Sequence, residues 1–460
     1  LMRSNETTPG KPASANAIRP GEEGQLRKEI NEFSEAEWDA ARQKEYAGML
    51  KHGVWEPAIL PKGRRTLSTK EVLKVRNDNS LKVRLTARGF MQRENVEYFE
   101  TYSAVASPST IRTVVSIAAS FGLPLQTADV EQAYLQAPIK EEIYLDVPKV
   151  LKNSPAFKDA DCLRLKKGLY GTKQAGRGWY DKLKKAIKKA GCHESPEDPC
   201  LYHLHTSDRL SMIVCTVVDD FLGAADDATW AKFTSDLEAG GIQLDKASVG
   251  NAKEFNGLRI TRVSKHHYEL DQRHYLAELE KSYGRSHQWR PSEKVTTPLG
   301  PTLDKGLVQD THTYKQSLQD GHALTRVEQS DIDLEQNAVK RREFTKRYQS
   351  LLGSLIWPAQ MSRPDIAFAV SAAGEHSIEP MTRHMQALER TLSYVINTAH
   401  KSLTFNQSHA PRTMNLAAFS DSDFASDEES RRSRTGVVIL INESPVYWSS
   451  KRQTTVADST

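Results

Sequence analysis

Two adjacent carboxylates, Asp219 and Asp220, interrupt an apolar stretch that runs from Ser211 to Val218 and resumes at Phe221-Leu222-Gly223. Successive side chains of a strand point to opposite faces, so both acids can serve one site only if the pair lies at a turn between strands. A solvated Asp-Asp turn is the plainer reading of the dipeptide by itself. A third acid changes that balance, because Asp129 closes another apolar segment, Leu123 to Val130, ninety residues upstream. Three carboxylates at strand ends suit a two-cation phosphoryl-transfer site, in which Mg²⁺ or Mn²⁺ ions about 3.5–4 Å apart are held by hard oxygen ligands and substrate phosphates.

The surrounding sequence has the charge that a phosphate-rich ligand needs. From Arg164 to Lys189 the chain carries ten cations, including Lys173, Lys184, Lys185, Lys188 and Lys189, and along that stretch only Asp181 opposes them. The Gly-rich segment Gly168 to Gly178 reads as a ligand contact, while the lysines after Tyr180 read equally as phosphate contacts or as a solvated helix face. The formal net charge of the 460 residues is only +4, so the local distribution is the informative quantity.

Four cysteines form no CxxC pair, and the cluster Cys192-His193, Cys200, His203, His205 lacks the paired spacing of structural zinc ligands. A reducing compartment follows from this cysteine usage, the cytoplasm or the nucleus. No stretch reaches the roughly 18 apolar residues of a membrane-spanning helix, and a membrane partner is not expected.

The elements that must position the acids can be read from caps and periodicity. Residues 1–33 are polar and read as a disordered linker. Ser34-Glu35-Ala36-Glu37 is a capping signature that opens a helix carrying Trp38, Ala41, Met49 and Leu50. Val72 to Val75 and Lys82 to Thr86 read as a hairpin with a basic face, Thr110 to Phe121 as a helix, and Leu123 to Val130 as the strand that delivers Asp129. A basic helix is expected over Gly178 to Ala190, another over 226–240, and a hairpin within Glu254 to Leu270. Residues 301–343 read as a polar insertion or linker, 344–410 as a helical connection, and 411–460 as a β-rich second domain.

Taken in order, several motifs resemble copia-type retrotransposon reverse transcriptases. They are Lys82-Val83-Arg84-Leu85-Thr86-Ala87-Arg88-Gly89-Phe90, Asp129-Val130-Glu131-Gln132-Ala133-Tyr134-Leu135, Leu169-Tyr170-Gly171-Thr172-Lys173-Gln174-Ala175 and Val218-Asp219-Asp220. Downstream, Phe255-Asn256-Gly257-Leu258-Arg259-Ile260, Leu351-Leu352-Gly353-Ser354-Leu355 and Ser362-Arg363-Pro364-Asp365-Ile366-Ala367 extend the resemblance, which covers roughly residues 35–460.

The resemblance implies an α+β right-hand polymerase of fingers, palm and thumb over residues 34–300. Its activity would be RNA- and DNA-templated DNA synthesis with Mg²⁺ or Mn²⁺, and its partners an RNA template, a DNA primer, RNA-DNA hybrid and deoxynucleoside triphosphates. It implies Asp129, Asp219 and Asp220 as metal-binding catalytic acids. Lys82, Arg84, Arg88, Lys173 and Gln174 are implied as nucleotide-binding residues, and Tyr134 as the ring beneath the deoxyribose that excludes a 2′-hydroxyl. Tyr134 reads equally, from the residues alone, as core packing.

Four positions depart from the family pattern. Val217 stands where Tyr is usual, Gly176 where Pro is usual, and Thr172 and Gly178 also differ, so a catalytically decayed transposon remnant that only binds nucleic acid is the alternative reading. Phe419-Ser420-Asp421-Ser422-Asp423-Phe424, Arg432 to Gly436 and Val446 to Lys451 resemble the opening of the family's RNase H domain, with Asp421 as its first metal-binding acid. The family's next acidic position would follow Thr460, both ends read as cut, and a helix is expected to begin at Thr455. RNase H activity is therefore not expected of this chain, and the resemblance implies a location in cytoplasmic virus-like particles.

Overall fold

The acid-bearing strands lie in the middle of a sheet, and the elements that precede it are built first. The structure, a computed structural model, describes residues 32–75, 79–152, 155–207, 209–300, 326–407, 414–424 and 430–456. Helix α1 (Glu35–His52) starts at the predicted cap: Ser34 Oγ accepts the Glu37 N–H, and the Glu37 carboxylate returns to the Ser34 N–H at 2.8 Å. Strands β1 (Trp55–Ala58) and β2 (Thr66–Leu67) follow, and then the antiparallel hairpin of β3 (Thr69–Val75) and β4 (Leu81–Ala87). The turn expected at Asn77-Asp78 lies outside the described residues.

Helix α2 (Pro108–Phe121) is capped by Ser107, begins with proline where the missing N–H costs nothing, and leads into β5 (Leu125–Asp129). The single turn α3 (Ala133–Gln136), β6 (Tyr144–Leu145), α4 (Lys149–Lys152) and β7 (Cys162–Leu165) come next. Helix α5 (Ala175–Lys189) is followed by β8 (His193–Glu194), β9 (Leu201–Thr206), β10 (Arg209–Val217), β11 (Asp220–Ala225), α6 (Asp227–Ala239) and β12 (Gly250–Asn251).

The six-stranded antiparallel sheet has the order β12-β5-β11-β10-β9-β8, so the strands carrying Asp129 and Asp220 are direct neighbours. Alternation explains why β10 is almost uniformly apolar. Ile213 and Cys215 face α2 with its Ile111, Val114, Val115 and Ala118, whereas Met212 and Val214 face Trp179, Leu183 and Ile187 of α5 and Phe233 and Leu237 of α6. A strand covered on both faces cannot move, and neither can the turn at its end.

Beyond the sheet, β13 (Glu254–Phe255), β14 (Leu258–Ser264) and β15 (His267–Asp271) form a second antiparallel sheet. A helical cluster follows: α7 (Arg273–His287), α8 (Arg326–Gln336), α9 (Ala338–Met361), α10 (Ala367–Glu375) and α11 (Thr382–Asn397). Residues 301–325 lie outside the described residues, and the rest of the segment expected as a polar insertion or linker, 326–343, carries α8 and the start of α9. Helix α8 meets α11 through Asp331 Oδ1, which accepts the Thr382 N–H at 2.7 Å.

The Ser362-Arg363-Pro364-Asp365 motif is a clamp. Buried Arg363 makes paired bonds to Asp365 at 2.9 and 2.8 Å and donates to the Thr398 carbonyl at 3.2 Å, satisfying the end of α11. The chain then adds β16 (Leu403–Asn406) to the edge of β15.

The last strands, β17 (Leu416–Ser422), β18 (Arg432–Ile441) and β19 (Ser444–Val456), form a three-stranded antiparallel sheet. Strand β19 runs through Val456, where a helix was expected from Thr455, because its pairing with β18 extends to Arg432 opposite Val456. Among the described residues, no helix is long and apolar enough to cross a membrane.

This sheet is bolted to the first one by Arg112 of α2. The Arg112 side chain is 3% exposed, donates to the Val446 carbonyl at 2.8 Å and to the Gln360 and Met361 carbonyls at 2.6 and 3.1 Å, and lies 3.8 Å from the Trp448 ring centroid. Burial pushes its pKa down to about 9, leaving it charged at neutral pH. Arg112→Ala should destabilise the chain by about 3 kcal/mol, since two buried carbonyls and one partly buried one lose a charged donor. A denaturant midpoint that does not move would show that the sheet docks without this residue.

Candidate active site

The β11–β5 register places Asp220 opposite Asp129, and Val217 opposite Asp220 closes the β10–β11 hairpin with only Val218 and Asp219 in its turn. Val218 has a φ of +60°, a left-handed conformation that is costly for a β-branched residue and persists only when the surroundings enforce it. Two bonds do so: the Trp179 indole N–H donates to the Val218 carbonyl at 2.7 Å, and the Val130 N–H donates to the Asp219 carbonyl at 3.1 Å. From the other side, Ser248 Oγ accepts the Asp129 N–H at 2.7 Å.

The structure thus brings together the three acids singled out in the sequence. All three carboxyls are raised above the ordinary range. For Asp220, burial acts most, followed by the charges of Asp129 and Asp219 and a proton shared with Asp129, and the result is a pKa of about 7. Asp129 is raised by burial and by Asp219, against the Val130 N–H and Lys82. Asp219 is raised by burial, with Arg84 and Lys82 opposing.

Asp129 Oδ1 is buried without a hydrogen-bond partner. The set is half-buried like charge with an orphaned oxygen, an arrangement in which desolvation and repulsion favour the protonated forms. Among the described residues no three acidic, His or Cys side chains form a ready-made metal cage.

The acids face two ways. Asp129 and Asp220 line a cleft of about 730 Å³ together with Ser248, Lys253, Phe255 and Asn256. Asp219 does not line that cleft; Arg84 acts on it, as does Lys82, which also acts on Asp129, and Asp219 in turn acts on Tyr134. Tyr134 meets Tyr170 edge to face with centroids 5.6 Å apart, and the Arg84 guanidinium lies 5.4 Å from the Tyr170 ring centroid. Burial raises both phenols.

Tyr170 reaches that position because two backbones cross without side chains between them. A Cβ on Gly171, whose φ is +85°, would stand 2.2 Å from the Ala87 carbonyl oxygen, and one on Gly89 would stand 2.0 Å from that of Gly171.

The remaining residues expected in the site are placed differently from one another. Arg84 Nε is buried with no hydrogen-bond partner, and Lys82 stands on the same strand. The side chains of Arg88 and Lys173 are exposed, whereas Gln174 is buried. Its amide donates to the Glu97 carbonyl at 2.8 Å and to Glu141 at 3.2 Å, and accepts from Gln92 at 3.0 Å, so both its amide hydrogens are spent inside the protein. Asp421 is exposed on β17 opposite Gly436, in the separate C-terminal sheet.

Among the departures from the family pattern, Thr172 is buried and donates to the Leu169 carbonyl at 2.8 Å. Val217 packs at the edge of the core under α2.

The basic run is less free than its sequence suggests, because folding brings acids to it from elsewhere. Lys184 and Lys188 both pair with Glu194, at 2.6 and 2.9 Å, Lys166 pairs with Glu56, and Arg177 pairs with Glu100 as well as Asp181. Lys182 donates to the Gln136 and Gly241 carbonyls. Lys185 and Lys189 are exposed. All four cysteines are free and buried, and His203 and His205 face each other at 3.2 Å between their Nδ1 atoms.

Trp179 and Ser248 position the site without any mark in the sequence, and Tyr170, although it lies in the Leu169 to Ala175 motif, was not singled out there. They act through backbone groups and ring stacking that have no spacing signature.

The profile of the reverse transcriptase (RNA-dependent DNA polymerase) family matches residues 52–296, more than half of the chain. The chain therefore belongs to that family, and its relatives are copia-type Pol polyproteins. It is 30% identical to the retrovirus-related Pol polyprotein from transposon TNT 1-94 of Nicotiana tabacum, over 91% of this chain and 29% of that protein. It is 28% identical to the one from transposon RE1 of Arabidopsis thaliana, over 97% and 28%. Identity to the transposon Ty1-DR1 Gag-Pol polyprotein of Saccharomyces cerevisiae is 24%, over 91% and 23%.

The chain spans under a third of the length of these curated relatives. A foamy viral protease-reverse transcriptase solved with double-stranded DNA superposes with a TM-score of 0.43 at 10% identity, over 95% of this chain and 69% of that one, too loose a likeness to carry an argument.

The raised carboxyls set a pH dependence. Each binds its proton more tightly folded than unfolded, so metal-free stability should rise as pH falls from above 7, where Asp220 titrates, toward the ordinary carboxylate range near 4. Asp220→Asn should raise stability at pH 8 by about 1–2 kcal/mol after allowance for screening, and should flatten that rise. Melting temperatures of parent and variant across pH 5–8 with chelator present check this, and identical curves would contradict it.

Proposed function

We propose that the chain is a templated DNA polymerase, transferring a nucleotidyl group from a deoxynucleoside triphosphate to a primer 3′-hydroxyl under the direction of an RNA or DNA template. The observation that carries the reading is the convergence of Asp129, Asp219 and Asp220 across ninety residues of sequence, with Asp129 and Asp220 on a cleft and Asp219 under the charge of Lys82 and Arg84.

In this reading the six-stranded sheet with α2, α5 and α6 is the palm, and the β3–β4 hairpin belongs to the fingers. The helices from α7 onward form the thumb and connection, and the last three strands belong to an RNase H-like sheet. Asp129, Asp219 and Asp220 hold Mg²⁺ or Mn²⁺, and the orphaned Asp129 Oδ1 is a ligand in waiting. The bound cations supply activation of the 3′-hydroxyl and neutralisation of the leaving pyrophosphate. Lys82 and Arg84 receive the triphosphate, with Arg88 and Lys173 at the exposed rim. Tyr134 floors the sugar, and Gln174 shapes the pocket from beneath. The primer end occupies the cleft bounded by Asp129, Asp220 and residues 247–257. Template and hybrid run along the exposed lysines Lys185 and Lys189. Four buried thiols agree with a reducing compartment, the cytoplasm or the nucleus.

Purified chain with Mg²⁺ should extend a DNA primer on an RNA template. Asp129→Asn or Asp219→Asn should reduce extension on the order of 10²–10³-fold or more while duplex binding persists. Parental rates in either variant, or a parent that binds template-primer without extending it, would overturn the proposal.

Tyr134→Ala should raise ribonucleotide incorporation relative to deoxynucleotide roughly 10- to 100-fold, because a ring that excludes a hydroxyl by contact alone discriminates through a few kcal/mol of sterics. Unchanged discrimination would leave Tyr134 as packing.

A further inference from the structure

Helix α1 lies almost wholly ahead of the residues that the family profile matches, yet it touches the residue that opens the turn bearing Tyr134. The link is Gln132. It caps the single turn α3 that carries Tyr134, and it does so with φ +46° and ψ +49°, a left-handed conformation unusual for a long side chain. Such a backbone needs an external hold, and α1 provides one. A Cβ on Gly48 would stand 2.5 Å from Gln132 Oε1, 2.6 Å from Nε2 and 2.9 Å from Cδ, so the amide occupies the space where a side chain at residue 48 would be.

One turn earlier, Glu45 Oε2 accepts the Gln132 amide N–H at 3.3 Å. Glu45 is 8% exposed, its carboxyl is raised by burial, and the charges of Arg84 and Lys82 act on it in the opposite sense. The same helix ties itself to the hairpin bearing Lys82 and Arg84, through Arg42 Nε to Glu71 at 2.9 Å.

Resting on the polymerase reading, we propose that Glu45 and Gly48 are positioning residues of the nucleotide pocket. They lock Gln132 in its left-handed turn, and so set the height of Tyr134 beneath the incoming sugar and the placement of the strand that meets the triphosphate. A glycine in mid-helix is otherwise a liability, since alanine is the better helix former. Its presence at residue 48 is explained by the seat it leaves for Gln132.

The experiment uses the full chain and steady-state primer extension with deoxy- and ribonucleoside triphosphates. Gly48→Ala should raise KM for the deoxynucleotide several-fold and shift sugar discrimination, with kcat at saturation changed less. Gln132→Gly removes the amide and relieves the left-handed backbone, so the Gly48→Ala/Gln132→Gly double variant should be no worse than Gln132→Gly alone. Melting temperature should follow the same cycle, falling in Gly48→Ala and recovering in the double variant, and this readout needs no activity.

Gly48→Ala with parental KM, parental discrimination and an unchanged or raised melting temperature overturns the inference, as does a double variant in which the two losses simply add. A parent that extends no primer overturns the polymerase reading instead, and the melting cycle then decides the Gly48–Gln132 seat by itself.

Discussion

Desolvated like charge is the constraint on which the rest of the structure depends. Three carboxylates drawn from two segments are held in one place, half removed from water, where burial raises the proton affinity of all three and the charges of Asp129 and Asp219 raise that of Asp220 further. No sheet would adopt that arrangement for its own stability. It is enforced by the register of β5 against β11, and a one-residue slip would turn Asp129 to the opposite face and bury its neighbours wrongly. The surrounding architecture keeps the register from slipping: β10 is covered on both faces, Trp179 and Val130 hold the turn, and Ser248 holds the end of β5.

Around this centre the fold is a set of braces that run between distant parts of the chain. Helix α1 reaches the β3–β4 hairpin through Arg42 and the residue that opens the α3 turn through Glu45, so the strand bearing Arg84 and the turn bearing Tyr134 share one support. Helix α2 covers the back of the acid-bearing sheet with its apolar face and presents Arg112 to the last sheet and to the end of α9. The Arg363–Asp365 clamp closes α11 so that β16 can join the middle sheet. Buried charge is spent repeatedly on joining elements, because charged bonds to carbonyls carry direction that apolar packing lacks.

The acids, the strands bearing them and most helices were legible in the sequence because each has a local signature. Ser34 and Glu37 announced α1, the apolar run ending at Val218 announced a two-sided strand, and paired acids at its tip announced a turn. What escaped reading depends on partners distant in sequence. The run from Arg164 to Lys189 looked unopposed because Glu56, Glu100 and Glu194 arrive only on folding. Gln174 looked like a ligand contact because its three internal partners lie 33 to 82 residues away. Residues 326–343, read as polar insertion or linker, gave no helical period because their few apolar residues, Val327, Ile332 and Leu334 among them, are at most half-buried. Gly48 carried no signal at all, since its role is visible only when Gln132 is seen to fill the space beside it.

The claim that the two acid-bearing segments form one cation site can be tested by substituting Fe²⁺ for Mg²⁺ and adding ascorbate, so that radicals generated at the bound ion cut the nearby backbone. The account predicts cleavage at two places in the same molecules, near residue 129 and near residues 218–220, with both suppressed by excess Mg²⁺ and both lost in Asp129→Asn. Cleavage at one segment alone, or cleavage at both that Asp129→Asn leaves intact, would contradict it.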